Sequence, residues 1–212
     1  MHVLITAGPT YEPIDPVRFI GNRSTGKMGV ALAMEYATRG NTVTLVLGPS
    51  ALDPEHPSLK VVRVETAAEM YAAASAAHSQ AQLCIFAAAV ADYTPRFPAT
   101  QKQKKELECW TIELVKTTDI AAELGQRKQV GQIHVGFALE TENEELHALD
   151  KLSRKNFDLI VLNSLREEGA GFGHDTNKIR IFDKKGGMCI FDKKSKKEVA
   201  EDIRRFIEIN IK

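Results

Sequence analysis

Short apolar, β-branched runs alternate along the chain with longer stretches in which apolar positions recur every three to four residues. This is the sequence form of a parallel sheet covered by helices, since parallel neighbours need a long crossover between them. The first strand is predicted at Val3–Ala7. A helix from Lys27 to about Arg39 puts Met28, Leu32 and Tyr36 on one face, and Gly40 supplies a left-handed end. Val43–Leu47 reads as the second strand. Pro49, Pro54 and Pro57 then make a loop, and Val61–Val64 reads as the third strand. Thr66 and Glu69 have capping-box spacing before an alanine-rich helix that runs to about His78.

Leu83–Val90 is a continuous apolar run, as expected of a central strand buried on both faces. From Asp92 to Trp110 the periodicity fails among Pro95, Pro98, Arg96 and the lysines 102, 104 and 105, which predicts a flap over about 92–110. Asp119–Gly125 gives a short helix and Ile133–Phe137 a strand; Thr141 and Glu144 cap the next helix, and Leu159–Leu162 is the strand after it. Lys178–Phe182 and Met188–Phe191 flank Gly186-Gly187 as a hairpin. Ser195 and Glu198 open a last helix with the stripe Val199, Ile203, Phe206 and Ile207. No repeat or domain boundary interrupts this order. The expectation is one α/β domain over 1–212, its mostly parallel sheet covered by helices on both faces and closed by a C-terminal antiparallel hairpin.

Composition narrows the partners. With 28 Lys+Arg against 28 Asp+Glu the formal charge is zero, so no broad field draws the chain to nucleic acid or to a membrane surface. No apolar run approaches the roughly 20 residues that span a bilayer. Met1 is followed directly by His2-Val3-Leu4-Ile5 with no basic region, and a cytoplasmic location is expected. Cys84, Cys109 and Cys189 are widely spaced and read as buried or incidental thiols.

In an open parallel sheet, ligands bind beyond the carboxyl ends of the strands, which singles out Gly8–Lys27, Ala87–Lys105 and Phe137–Thr141. Gly21–Lys27 matches G-x-x-x-x-G-K at a helix start, but Met28 stands where a P-loop has Ser or Thr, and Gly8–Ile20 separates it from the first strand. Two readings stay open: anion binding of another kind, or a polar helix cap formed by Ser24 and Thr25. A nicotinamide-dependent oxidoreductase lacks support. There is no G-x-G-x-x-G after strand one, Leu47-Gly48-Pro49 offers no acid to a ribose, and neither Tyr11, Tyr36, Tyr71 nor Tyr93 has lysine four positions later. It remains an alternative, as does a non-catalytic nucleotide-binding protein. The lysines of 102–105 are either solvated or close over a polyphosphate. Those of 193–197 read as surface, and His174-Asp175 as a loop feature.

Several long motifs then carry a specific resemblance: Ile5–Thr10, Glu12–Arg18, Asn22–Gly29, Ala87–Tyr93, Lys102–Lys105 and Gly136–Thr141. Together they resemble bacterial phosphopantothenoylcysteine synthetase over almost the whole chain. The resemblance implies a Rossmann-like fold, a homodimer, and CTP-dependent ligation of 4′-phosphopantothenate to L-cysteine through an acyl-cytidylate with Mg²⁺, in coenzyme A synthesis. In many bacteria this unit is fused to a flavin-dependent decarboxylase. The implied CTP site comprises Phe86, Ala87, Ala88, Asp92, Lys102, Thr118, Asp119, Ile120, Ala121, Phe137, Lys151 and Lys155, with Asn22 on the phosphopantothenoyl part. Asn22 and Lys102 are the expected catalytic groups: a neutral donor and acceptor to orient the acyl group, and a cation to offset phosphate charge. Lys151 and Lys155 share a helix face. The chain departs from the family at Asn163-Ser164, where Asn-Asp is usual, and at Phe86, where a small residue is usual. Main-chain contacts alone are expected of Phe86, and Asn163 is not carried over.

Overall fold

The computed structural model describes residues 1–104, 108–140, 142–164 and 174–210. In chain order the elements are β1 (His2–Ala7), β2 (Tyr11–Pro13), β3 (Phe19–Gly21), α1 (Lys27–Thr38), β4 (Thr42–Leu47), β5 (Leu59–Arg63), α2 (Ala67–His78) and β6 (Leu83–Phe86). Then come β7 (Tyr93–Pro95), β8 (Leu114–Lys116), α3 (Ile120–Gln126), β9 (Ile133–Glu140), α4 (Glu144–Arg154), β10 (Leu159–Ser164), β11 (Thr176–Asp183), β12 (Met188–Ser195) and α5 (Lys196–Asn210).

Alternation along the strands decides the layering. In β1, Val3, Ile5 and Ala7 face one core and Leu4 the other; in β6, Leu83 and Ile85 oppose Cys84 and Phe86. Such strands must be covered on both sides. Leu32, Ala33 and Tyr36 of α1 and Val199, Ile203 and Ile207 of α5 fill the first core, while residues of α2, α3 and α4 fill the second. Between α1 and α5, Arg204 Nε lies 2.7 Å from Glu35 Oε1, with both side chains 9% exposed. Burial pushes the Glu35 carboxyl up, but the bonds to Arg204 and Arg39 outweigh it and hold it below its ordinary value.

Eight strands form one sheet in the order β12, β11, β10, β9, β6, β1, β4, β5. The neighbours from β10 through to β5 pair in parallel, and β11 and β12 are antiparallel. This is a Rossmann-like α/β fold. The chain walks outward from β1 through β4 and β5, is returned by α2, and walks the other way through β6, β9 and β10. The switch point therefore lies between β1 and β6, the crevice in which doubly wound sheets hold ligands. Among the described residues no helix is long and apolar enough to cross a membrane.

The predicted elements recur with shifted ends. The apolar run from Leu83 leaves the full ladder at Phe86, whose partner in β9 is Gly136. Beyond it Ala87 and Ala89 donate N–H to Thr6 and Gly8 carbonyls at 3.0 and 2.8 Å, so the run stays extended with a neighbour on one side. The capping box at Thr66 and Glu69 is present, and Ser195 Oγ accepts the Glu198 N–H at 3.3 Å while Glu198 accepts that of Ser195 at 3.0 Å. Thr141 lies outside the described residues, and the N-cap of α4 is Asn143, in the left-handed region at φ 45° without a side-chain cap. Two small ladders, β2 with β3 and β7 with β8, were not expected.

At the amino ends of the strands most polar groups satisfy one another, although the buried His134 Nδ1 has no partner among the described residues. Asp158 accepts from Lys128 and Lys184 at 2.5 and 2.6 Å and from the His134 N–H at 2.8 Å. The Gln132 amide donates to the His78 and Ala81 carbonyls, which turns its Oε1 toward His134 Nε2 at 3.2 Å. His134 Nε2 also lies 3.1 Å from His78 Nε2. Burial, with Lys128 beside it, pushes the His134 pKa down to about 3. His78 is lowered by burial as well, and the nearby Cys84 thiol is pushed up to about 12.

Candidate active site

A cavity of about 800 Å³ opens over the carboxyl ends of the strands at the switch point. Its walls come from the start of α1, the exit of β6, the Lys116–Ala121 turn into α3, the end of β9, and α4. Of the residues carried over from the resemblance, Asn22, Phe86, Ala87, Ala88, Asp92, Thr118, Asp119, Ile120, Ala121, Phe137, Lys151 and Lys155 all line it. Lys102 does not. Its side chain is exposed on the segment after β7.

The Thr10–Arg18 segment does not line the cavity; its polar side chains are mostly consumed in holding backbone. Thr10 Oγ1 accepts the Ala91 N–H at 2.9 Å, and Glu12, 3% exposed, accepts the Ala67 N–H at the start of α2 at 2.8 Å. Asp15 accepts the Val17 and Arg18 N–H groups at 2.9 Å each and the Gln103 N–H at 3.2 Å. The Arg18 guanidinium beside it holds the Asp15 carboxyl well below the usual carboxylate range. Arg18 also donates to the Gln103 carbonyl at 3.0 Å and lies 4.5 Å over the Trp110 ring. These contacts tie the arm between β7 and β8 to the loop between β2 and β3.

The G-x-x-x-x-G-K segment resolves against a side-chain cap. The N-cap of α1 is Gly26, left-handed at φ 79°; Ser24 Oγ accepts its N–H at 3.4 Å, but no side chain caps the N–H groups of the first turn. A Cβ on Gly29 would fall 2.3 Å from Ala7 Cβ, which sets the first turn of α1 directly against the end of β1. Asn22 Nδ2 donates to the Ala89 and Val90 carbonyls at 2.9 and 3.1 Å, leaving its Oδ1 as the group that faces other partners.

On the other sheet face, Asp119 is the N-cap of α3 and accepts the Ala122 N–H at 3.1 Å. Lys155 Nζ reaches Asp119 at 2.9 Å, and Lys151 Nζ reaches Glu140 at 2.6 Å. Burial raises the Asp119 pKa, but Lys155, the Ala122 amide and Arg154 bring it below its ordinary value. The Phe86 ring packs against His134 and Phe157 in the core, and Phe86 and Phe157 both line the cavity.

The sequence matches the family described as the DNA/pantothenate metabolism flavoprotein C-terminal domain over residues 1–209. The chain belongs to that family. It is 53% identical over 205 residues to a protein of an unknown prokaryotic organism named cysteine/cysteine sulfinic acid decarboxylase, covering 97% of this chain and 57% of that one. It is 46% identical over 202 residues to the coenzyme A biosynthesis bifunctional protein CoaBC of Bacillus subtilis (strain 168), covering 95% and 50%. The chain therefore spans about half the length of the curated relatives it matches. The crystal structure of the C-terminal domain of a coenzyme A biosynthesis bifunctional protein CoaBC aligns with a TM-score of 0.83 at 39% identity, over 98% of this chain and 94% of that one.

This member of the flavoprotein C-terminal domain family also lines its cavity with residues that the sequence did not single out. Arg154, the last residue of α4, lies beside Asp119 at 3.6 Å. Lys196, expected on the surface within a lysine-rich run, is 8% exposed and lines the cavity. Its burial comes from the approach of α1 and the start of β11, which the local sequence does not encode. Asn163 lines the cavity too, and its Oδ1 is buried with no partner among the described residues. Such an acceptor calls for a donor or a cation from a ligand.

Proposed function

We propose that the chain is a CTP-dependent phosphopantothenate–cysteine ligase of coenzyme A biosynthesis, acting in the cytoplasm as a homodimer and joined or bound to a flavin-dependent decarboxylase. The observation that carries this reading is the convergence on one cavity of every residue named for the synthetase site except Lys102, drawn from segments far apart in sequence. The decarboxylase name of one relative belongs to a protein of which this chain spans 57%, and does not say which portion acts.

In the reaction, a carboxylate oxygen of 4′-phosphopantothenate attacks the α-phosphorus of CTP and pyrophosphate leaves; the cysteine amine then attacks the acyl carbon and CMP leaves. Both partners of the first step are anions, so fixed cations must offset their charge. Lys151 and Lys155 contribute from the α4 wall, and Asn22, its donors spent on Ala89 and Val90, offers Oδ1 to orient the acyl group. Lys102 is assigned to the phosphates on the resemblance. Magnesium fits the donor set: Asp92 lines the cavity without an ion pair among the described residues, and Asn163 adds an unpartnered oxygen. Held by Asp92 and the nucleotide's own phosphates, the ion would neutralise phosphate charge. Ala87 spends its N–H on Thr6, while Ala88 leaves main-chain groups for a pyrimidine edge, which favours CTP over ATP.

The test is CMP release requiring both phosphopantothenate and cysteine, with CTP and ATP assayed separately. Release with CTP and a clear deficit with ATP is expected. Binding of CTP with no pyrophosphate release would instead identify a non-catalytic nucleotide-binding protein, and equal turnover of the two nucleotides would refute base reading.

A further inference from the structure

We propose that Lys196 holds the β- and γ-phosphates of the nucleotide beside the first turn of α1 and offsets the charge of the departing pyrophosphate. This rests on the function proposed above and assigns a role to a residue outside the set carried over from the family.

The cavity has two ends on opposite faces of the sheet. One is built by α3 and α4, where Lys155 and Lys151 lie on Asp119 and Glu140. The other is built by the helices of the opposite face: Gly26–Gly29 at the start of α1, and Lys196, the first residue of α5. Bringing the long side chain of Lys196 to 8% exposure is costly for an ammonium group unless something is gained. Its Nζ donates to the His174 carbonyl at 2.5 Å, which helps fix the side chain at the cavity wall. Lys27 approaches from α1, bonded to Asp175 at 2.6 Å.

Burial and the charge of Lys27 lower the proton affinity of Lys196 and Asp175 offsets part of this, so two cations from different helices share one carboxylate here. A bound polyanion relieves that cost, and a singly charged ligand relieves less of it. The uncapped α1 N-terminus adds a partial positive charge at the same place. A nucleoside lying along the α3 and α4 wall would extend its phosphate tail toward this end. As the carboxylate oxygen bonds to the α-phosphorus, the bond from that phosphorus to the bridging oxygen breaks. Its electron pair departs on the β-phosphate, and Lys196 keeps its proton and meets the added charge.

Titration calorimetry of CTP, CMP and inorganic pyrophosphate tests this without relying on turnover. In Lys196→Gln, CTP and pyrophosphate are expected to bind about ten- to a hundredfold more weakly, the loss of one charge-assisted hydrogen bond, with CMP unchanged. Lys196→Arg should recover much of the CTP affinity. Retained CMP binding reports that the variant is folded. Because Lys196 also anchors the His174 carbonyl, Lys27→Gln is the second variant, expected to move in the same direction by a smaller factor. An unchanged CTP-to-CMP affinity ratio in both variants would overturn the proposal. Should the wild type bind pyrophosphate through Lys196 yet release none from CTP with phosphopantothenate, the ligase reading fails and the subsite stands.

Discussion

The two edges of the sheet dispose of their polar groups in opposite ways. At the amino edge, Asp158, Lys128, Lys184, Gln132 and the paired histidines bond to one another and to nearby backbone. At the carboxyl edge, the Asn163 Oδ1 has no partner among the described residues, α1 starts without a side-chain cap, and charged side chains line an open cavity. Among the described residues the amino edge bonds most of its polar groups to one another, leaving the His134 Nδ1 unpartnered, whereas the carboxyl edge lines an open cavity. Substitutions at the first should therefore cost stability, and those at the second should cost binding or turnover.

The largest effect is expected at the closed edge. Asp158→Ala removes the common partner of Lys128 and Lys184, and taking one member from a buried pair costs about 3–5 kcal/mol. Urea denaturation measures it, and an unchanged midpoint would remove the distinction between the edges. At the open edge, Lys102→Gln should slow pyrophosphate release by about 10²–10³ while leaving the melting temperature in place. Rapid quench with labelled CTP checks it, and a normal pyrophosphate burst would show that Lys102 is as remote in function as it is from the cavity here.

Acidification separates the edges next. His134 titrates at about 3 when folded against 6.5 as an ordinary histidine. Below about pH 6.5 the unfolded chain binds the extra proton, so stability falls with pH down to about 3, by about 1.4 kcal/mol per unit from this group. Melting curves between pH 7 and 5 should show the loss, and His134→Gln should flatten it. The smallest effect is expected from Asn22→Asp: an acyl-cytidylate that forms but passes to cysteine about tenfold more slowly, since an added negative charge beside departing CMP opposes the step. Failure to trap that intermediate in a folded variant would place Asn22 elsewhere in the cycle.

What was legible in the sequence was what local pattern controls. Strand alternation gave both cores, the Thr66 and Ser195 capping boxes formed as spaced, and the Val199–Ile207 stripe packed inward. The position of the cavity followed from strand polarity. Distant partners hid the rest. Lys196 sits in a run that looks solvated and is buried by elements remote in sequence, and His78, Cys84 and His134 meet within 4.8 Å only after three elements assemble. The resemblance flagged Thr10, Glu12 and Asp15 as a motif, yet nothing in their spacing showed that they secure Ala91, Ala67 and Gln103.

The anchorage of Gln103 and Trp110 to Asp15 and Arg18 bears on how the protein could be recombined. Ala99 donates to the Ile14 carbonyl at 2.9 Å, so the β7–β8 arm is fastened to the β2–β3 loop at several points along its length. The two segments form one inheritable module although their bonded residues lie 85 to 88 positions apart in sequence. A chimera that borrows the arm alone from a relative would break the clasp, whereas one that exchanges both segments together would carry it intact.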